Sequence, residues 1–458
     1  MTWFGTIVCH NPRTGQLLHR PIKELCDDDL PVLVEDSDAF DTGLLVLRPA
    51  RQCRAVRTTA SDEHGSFVYA SGAHPKVGLS LKRDDKFLSA RPGGSTMAMM
   101  PAAKAWEAFV VISKAELDFL DFFQGNDWWR RSDNTFLRAH EIALLPGFKL
   151  KVGSDELPVP RGLPSAREWG RGPDGDIRRS EAVLFFDGWR IEAFQLFRPL
   201  VFVVAYGPDE IFERLHLCLR SLFELGRYEG DVLVIGDKSH RELSALLPRL
   251  PMDRIHVQNL RAVSSFDYYS ARYYFSDWES AHLYQPFLYM DLDAAVDCPV
   301  MPFFEAVAFH DKLSFQAETW TRLDTHIPAG SALVRNDPGL EAHDLPGFNS
   351  GIFTVPSLTP HEGTLRKIRE AIRRYLEQHG PKSLSHFDQP IVNYVTVKLA
   401  PIDYAFLTPR VRYTQNAVMV GGDEPLGFVH FWGNGPELTD VMARFIEETA
   451  RKAADAPA

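Results

Sequence analysis

Downstream of residue 198, continuous apolar runs alternate with stretches of helical period. VFVVAYG (201–207) leads into an amphipathic stretch from Asp209 to Leu225, DVLVIGD (231–237) leads into SHRELSALLPRL, and RIHVQNL closes the series. Unbroken Val, Ile and Leu runs separated by helices belong to parallel strands covered on both faces, where no position has to be polar. The pattern predicts a Rossmann-like, doubly wound half over residues 199 to about 300. Ligands of such sheets lie at the carboxyl ends of the strands.

Upstream the texture changes to short strand-like runs and many turn residues, with little helical period except around Lys114 to Phe123. Three segments echo one another, TGQLLHR (14–20), DKFLSAR (85–91) and NTFLRAH (134–140), each placing a turn before a short strand. Each has a second echo further on: TGLLVLRP (42–49), WEAFVVIS (106–113) and IEAFQLFRP (191–199). A unit repeated three times, too short to bury its own face, predicts threefold packing around a shared core. Residues 1–198 therefore read as an all-β module, a β-trefoil, ahead of an α/β domain over 199–458. The middle unit, KFLSARPGGSTMAMMPAAKAWEAFVVI, resembles the repeats of fascin-like trefoils, in which an aromatic-Leu strand and a later Trp-Glu-x-Phe strand bracket a Gly turn. The third unit carries a long insertion, PRGLPSAREWGRGPDGDIRRSE. Trp128 and Trp129 in NDWWRR are candidates for a stacking platform, against the plainer reading that at least one belongs to the core.

A chain of 458 residues is too long for one ordinary core, which agrees with two or three domains. Hydrophobic residues at 45% and charged residues at 24% describe a globular protein rather than a disordered one. Lys plus Arg number 50 against 61 Asp plus Glu, a net charge of -11 with no long basic run, which argues against a nucleic-acid partner. MTWFGTIVCHNPRTG lacks the cationic start and apolar h-region of a secretory signal, and no apolar stretch approaches the ~18 residues of a membrane span. The cysteines (Cys9, Cys26, Cys53, Cys218, Cys298) are odd in number and never in a CxxC pair, so neither a disulfide framework nor a thiolate zinc site is expected, and a reducing cytoplasm fits.

The candidate chemistry begins at YMDLDAAVDCPV (289–300), where Asp291 and Asp293 follow the apolar run 287–290. In an extended segment the two side chains share a face while Leu292 points into the protein. Two carboxylates that close raise each other's pKa unless a cation sits between them, and oxygen ligands suit Mg²⁺ or Mn²⁺. An acidic surface turn arising by chance is the plainer reading of such a triplet taken alone. Four further segments change that: YSARYY (269–274), FNSGIF (348–353), HFDQPIVN (386–393) and VHFWGNG (429–435).

In this order the series resembles the family 8 glycosyltransferases of the GT-A fold, over about residues 200–447. The resemblance implies a metal-dependent enzyme that moves a sugar from a nucleotide-sugar donor, a UDP-sugar, to a carbohydrate or glycoconjugate acceptor with retention of configuration. It implies Asp291, Asp293 and His430 as metal ligands, and Arg272, Asp291 and Gly433 as donor contacts. Asn349, Asp388 and Gln389 would touch the transferring sugar, with Asn393 behind them. Read without the family, Arg272 is a solvated helix charge, His430 a core residue, Asn349 a turn residue and Asp388 the cap of a helix begun by Gln389. Gln389 lies, by resemblance, near the far face of the anomeric carbon, where an amide stabilises an oxocarbenium-like state but is a weak nucleophile.

The chain departs from the family twice. HFWGNGPEL has Pro436 and Glu437 where a phosphate-contacting Lys is usual. The first strand ends in AYGPDE, so that Tyr206 is the candidate to stack on the base and Gly207 to allow close backbone approach. Between Glu318 and Pro346 a long polar insertion is either a surface loop or an acceptor-side lid. Two rival readings remain. One is a catalytically weak nucleotide-sugar or carbohydrate-binding scaffold, and the other is an inverting transferase with Asp388 or Asp344 as general base.

Overall fold

In the C-terminal half, the apolar runs become β1 (Leu200–Ala205), β2 (Asp231–Gly236), β3 (Ile255–Asn259) and β4 (Phe287–Met290). These strands are parallel, with β1 flanked by β2 on one edge and by β4 on the other. That explains the all-apolar sequences, since a strand with two paired edges and two covered faces meets no water. The computed structural model describes 197–340, 344–380, 386–400, 402–415, 418–420, 424–432 and 437–455. Before these it describes 2, 6–11, 13–14, 16–20, 30–34, 44–49, 67–73, 79–92, 97–109, 128–131, 136–138, 142–145, 149–152, 155–158, 165–167, 170–171, 177–178, 181–186 and 189–196. Contacts divide the chain into Met1–Leu196 and Phe197–Ala458.

Helix α1 (Asp209–Glu224) follows β1; its first turn carries Asp209 and Glu210 toward the positive end of the helix dipole, and Phe212, Leu215, Leu219 and Leu222 form its buried stripe. After β2, α2 (His240–Leu246) is opened by Ser239, whose hydroxyl accepts from the Glu242 N–H while Glu242 bonds back. A short α3 (Ser265–Ser270) and a 3₁₀ segment, Ala271–Asp277, lead toward β4. Beyond β4 come β5 (Ala294–Val296), α4 (Met301–Val307), β6 (Leu313–Arg322), α5 (Ser331–Arg335) and β7 (Pro346–Val355). Then follow α6 (Leu358–His379), α7 (Gln389–Leu399), β8 (Ile402–Asp403), α8 (Tyr404–Leu407), β9 (Val411–Gln415), β10 (Val418–Val420), β11 (Phe428–His430) and α9 (Leu438–Asp455).

The main sheet runs β3-β2-β1-β4-β7-β6-β8, and a second sheet runs β5-β11-β9-β10. Between β1 and β4 the strand order reverses, which opens a crevice at their carboxyl ends. The main core is aromatic: Phe202 stacks on Phe275 at 4.1 Å and Phe315 on Phe348 at 4.2 Å, with α6 and α7 contributing Leu365, Ile368, Ile391 and Val392 to the same cluster. Around the second sheet, Ala295, Val429 and Phe431 pack with Leu217 of α1 and Met442 and Ile446 of α9. No helix among the described residues is long and apolar enough to cross a membrane. Cys9, Cys218 and Cys298 are free thiols.

The insertion between Glu318 and Pro346 is more ordered than a surface loop. Its first residues continue β6, and Leu323, Ala329 and Val334 bury themselves as a small core against Tyr394 and Val397 of α7. Leu323, Ala329 and Val334 supply the apolar anchor that a free lid would lack.

In the N-terminal unit the described strands pair antiparallel, in sheets of eight, five, three and two strands. Five of the six echoed segments contain strands: Gln16–Arg20, Lys86–Ala90, Phe136–Arg138, Leu44–Pro49 and Trp189–Leu196. The sixth does not begin as one. Ala105–Glu107 is a 3₁₀ turn, because the Glu107 carboxylate reaches back 2.6 Å to the Lys104 N–H and closes the chain on itself. Trp129 is fully buried, as a core residue. The helical period around Lys114 to Phe123 lies outside the described residues.

Asp297, at the end of β5, accepts from the Gly427 N–H at 2.7 Å and pairs with Arg412 of β9 at 2.5 Å, with both side chains buried. Removing one partner of such a pair leaves a charge in the interior at a cost of about 3–5 kcal/mol. Asp297→Ala should lose stability of that order in equilibrium urea unfolding followed by fluorescence; an unchanged midpoint would contradict this account of the second sheet.

Candidate active site

The aspartates are brought together by a turn, not by strand alternation. The Asp291 N–H donates to the Gly351 carbonyl at 2.7 Å, after which the Ala294 N–H bonds the Asp291 carbonyl at 3.0 Å. The chain therefore turns through 291–293, and Leu292, expected to point inward, lines a cleft of about 620 Å³ with both aspartates. β5 then pairs antiparallel with β11, placing Ala294 opposite His430, and the Phe431 N–H bonds the Asp293 carbonyl at 2.7 Å. The imidazole Nε2 thus lies 3.1 Å from Asp293 Oδ1.

Asp291, Asp293 and His430 each offer a ligand atom within 4.8 Å of the others. Burial raises the Asp291 carboxyl above the ordinary range, and Asp293 adds to that while Arg272 opposes it. Burial also acts to raise Asp293, but the charge and hydrogen bond of His430 outweigh it and hold Asp293 low. Burial alone would lower His430, yet the Asp293 charge and hydrogen bond lift it above its usual value. The two carboxylates favour positive charge at this point, which a divalent cation can supply. Two details fit such an ion: His430 Nδ1 is buried without a hydrogen-bond partner, and Gly351 leaves room beside the ligands. A methyl group there would stand 2.6 Å from the His430 ring and 2.7 Å from Asp291 Oδ2.

Arg272 sits in the cleft wall rather than in solvent. Nη1 donates to the Ser350 carbonyl at 2.7 Å, Nη2 lies 3.3 Å from Asp291, Nε lies 3.8 Å from Asp388, and the guanidinium covers the Tyr289 ring. Tyr289 and Tyr273 donate their hydroxyls to Asp291 and Asp388 respectively. Asp388 precedes α7 at the N-cap position but caps no helix N–H, its carboxylate being engaged by Tyr273 and Arg272. Asn349 accepts from the Gly351 N–H at 2.7 Å and donates to Glu318 at 3.3 Å, and Gln389 approaches the other Glu318 oxygen at 3.4 Å. Asn393 does not reach the cleft. It is fully buried, and its amide bonds both the N–H and the carbonyl of Phe348 at 2.9 Å, tying α7 to β7. Asp344 is exposed, pairs with Arg322 at 2.9 Å and does not line the cleft, which removes it as a general base.

Tyr206 leaves β1 into the cleft with its ring 4.9 Å from Tyr268, its hydroxyl bonded to the Leu260 carbonyl, and Gly207 at φ +108 behind it. Toward β6, Trp320, Tyr413 and Trp432 gather with ring centroids 5.2 to 6.5 Å apart, Trp320 remaining 47% exposed. Gly433 lies outside the described residues. Glu318, Trp320 and Tyr268 escape sequence reading. The available signal was a carboxylate and a tryptophan two residues apart in β6, a spacing that puts both on one face of a strand.

No protein-family model matches the chain, and no curated protein does. Among solved structures it is similar to the galactosyltransferase LgtC in complex with donor and acceptor sugar analogs, at 16% identity and TM-score 0.38, over 57% of this chain and 97% of that one. It is also similar to mouse xyloside xylosyltransferase 1 in its apo form, at 15% identity and TM-score 0.35, over 52% and 99%. The apo glycosyltransferase GlyE of Streptococcus pneumoniae TIGR4 matches at 14% identity and TM-score 0.35, over 56% and 63%.

Gly351→Ala keeps an allowed backbone but its methyl would push on the His430 ring, Asp291 and Asn349, so it should weaken Mn²⁺ binding by about tenfold or more, about 1.4 kcal/mol. Calorimetric titration with Mn²⁺ checks this; wild-type affinity in the variant would detach Gly351 from the metal site.

Proposed function

We propose that the chain is a metal-dependent, retaining glycosyltransferase that moves a sugar from a nucleoside-diphosphate donor, a uridine-diphosphate sugar, to a glycan, lipid or protein acceptor. The observation that carries the reading is the convergence of Asp291, Asp293 and His430 within 4.8 Å in one cleft with Asn349, Glu318 and Gln389. A divalent ion held by the first three would neutralise the charge growing on the leaving diphosphate. Tyr206 and Tyr268 offer the base a ring surface at the exit of β1. Asn349, Glu318 and Gln389 present an amide-carboxylate-amide array to sugar hydroxyls. The Gln389 amide oxygen stabilises positive charge at the anomeric carbon while leaving group and acceptor share the opposite face, which gives retention. Arg272, Tyr273 and Asp388 hold that array in place, and Trp320 with Trp432 walls the acceptor side.

One assay tests the reading: a screen of nucleotide sugars with Mn²⁺ that follows release of free nucleotide. A UDP-sugar should be hydrolysed with Mn²⁺ and not with EDTA, Asp293→Asn should abolish turnover, and proton NMR should find the released sugar first in the donor's configuration. Metal-independent turnover or an inverted product would overturn the corresponding part. Binding without turnover would favour the scaffold reading.

For residues 1–198 we propose a trefoil-like module that positions the acceptor or a partner and supplies no catalytic group, supported by the threefold echo of short strands and by the confinement of every motif to later residues. A fragment of residues 199–458 should hydrolyse the donor as the full chain does while transferring poorly to its acceptor. Loss of hydrolysis in a folded fragment would refute the division.

A further inference from the structure

Among the described residues two guanidinium groups line the cleft, Arg272 and Arg214, and they are committed very differently. Arg272 is 6% exposed and held by Ser350, Asp291, Asp388 and the Tyr289 ring, so its charge is spent on the wall. Arg214 is half-buried on α1 and makes one hydrogen bond among the described residues, Nε to Thr439 Oγ1 at 3.3 Å. Its terminal nitrogens bond no described residue.

The position is specific. β1 exits through Tyr206 and Gly207 into α1, where Ile211 and Arg214, three residues apart on one helix face, both line the cleft. Arg214 therefore shares one cleft with the ring pair Tyr206–Tyr268 and with the acidic group, the two ends that a diphosphate must join if a stacked base and a bound metal are held together.

Electrostatics demands a cation there. Asp291 and Asp293 together offset the charge of a divalent ion, so the occupied metal group is close to neutral, while a nucleoside diphosphate carries more than one negative charge. HFWGNGPEL offers no Lys or Arg in the sequence just after His430. We propose that Arg214 is the cationic contact for the donor diphosphate, a role resting on the nucleotide-sugar reading of the cleft. Its planar fork suits two phosphate oxygens, and Thr439 fixes its stem.

The test is calorimetry on the full-length chain with four probes: Mn²⁺ alone, uridine, UDP with Mn²⁺, and inorganic pyrophosphate with Mn²⁺. Arg214→Gln should weaken UDP and pyrophosphate by about tenfold or more and leave Mn²⁺ and uridine unchanged, and Arg214→Lys should lose less. The substitution removes one long hydrogen bond, so the melting temperature should hold. Equal affinity of wild type and Arg214→Gln for both diphosphates would overturn the assignment, as would a parallel loss of Mn²⁺ or uridine binding. Wild-type binding of pyrophosphate without UDP would sink the nucleotide reading but keep the diphosphate contact; binding of neither would sink both.

Discussion

Two carboxylates that share one turn repel each other, and the structure around Asp291 and Asp293 is organised to offset that repulsion. Arg272 lies 3.3 Å from Asp291 on one side and His430 lies 3.1 Å from Asp293 on the other. Each aspartate keeps 28% side-chain exposure, so the positive neighbours act through a medium less screening than water without the aspartates being sealed from a ligand. A folded chain would not hold these charges together unless the backbone left little choice. The turn bonds of 291–294 and the ladder from β5 to β11 provide that constraint.

That constraint explains the second sheet. His430 is distant in sequence from the aspartates, and only the antiparallel register of β5 with β11 aligns it with Ala294. The buried pair Asp297–Arg412 ties the end of β5 to β9, the other neighbour of β11, and the small side chain of Ala295 lets Val429 and Phe431 close over it. On the other flank Asn393 locks α7 onto β7 through both polar groups of Phe348, which sets Gln389 and Asn349 against Glu318. The cleft side chains are thus carried on elements tied to one another by the β5–β11 ladder and the Asn393–Phe348 bonds, which leaves those elements little freedom.

The cleft has a direction. At the β1 end it is aromatic and backbone-lined, around Tyr206 and Tyr268. In the middle it is charged, and toward β6 it turns aromatic again at Trp320 and Trp432. β6 lies two places from β4 in the sheet and β1 one place on the opposite side, so at ~4.8 Å per strand the two aromatic ends are separated by roughly 15 Å. A ligand with a flat apolar end, an anionic centre and a hydroxyl-rich end fits that sequence of surfaces.

The parallel half was legible because buried strands leave an unmistakable run of apolar letters, and the turn signals placed Tyr206 and Asp291 at strand ends without any coordinates. Charge pattern and residue type likewise marked the acidic pair and the order of the later motifs. What the letters could not carry was anything requiring two distant segments to meet. Leu292 faces the cleft because a turn replaced the expected strand, and Trp106 and Glu107 form a 3₁₀ turn because one carboxylate reached back to Lys104. Asn393 looked like a site residue until Phe348 claimed both ends of its amide, while nothing local marked Glu318, Arg214 and Trp320, which only the folded chain brings into the cleft. Local sequence determines which backbone a segment prefers and how it spreads charge; which side chains then share a solvent-poor space depends on long-range register, and that exists only once the sheets have closed.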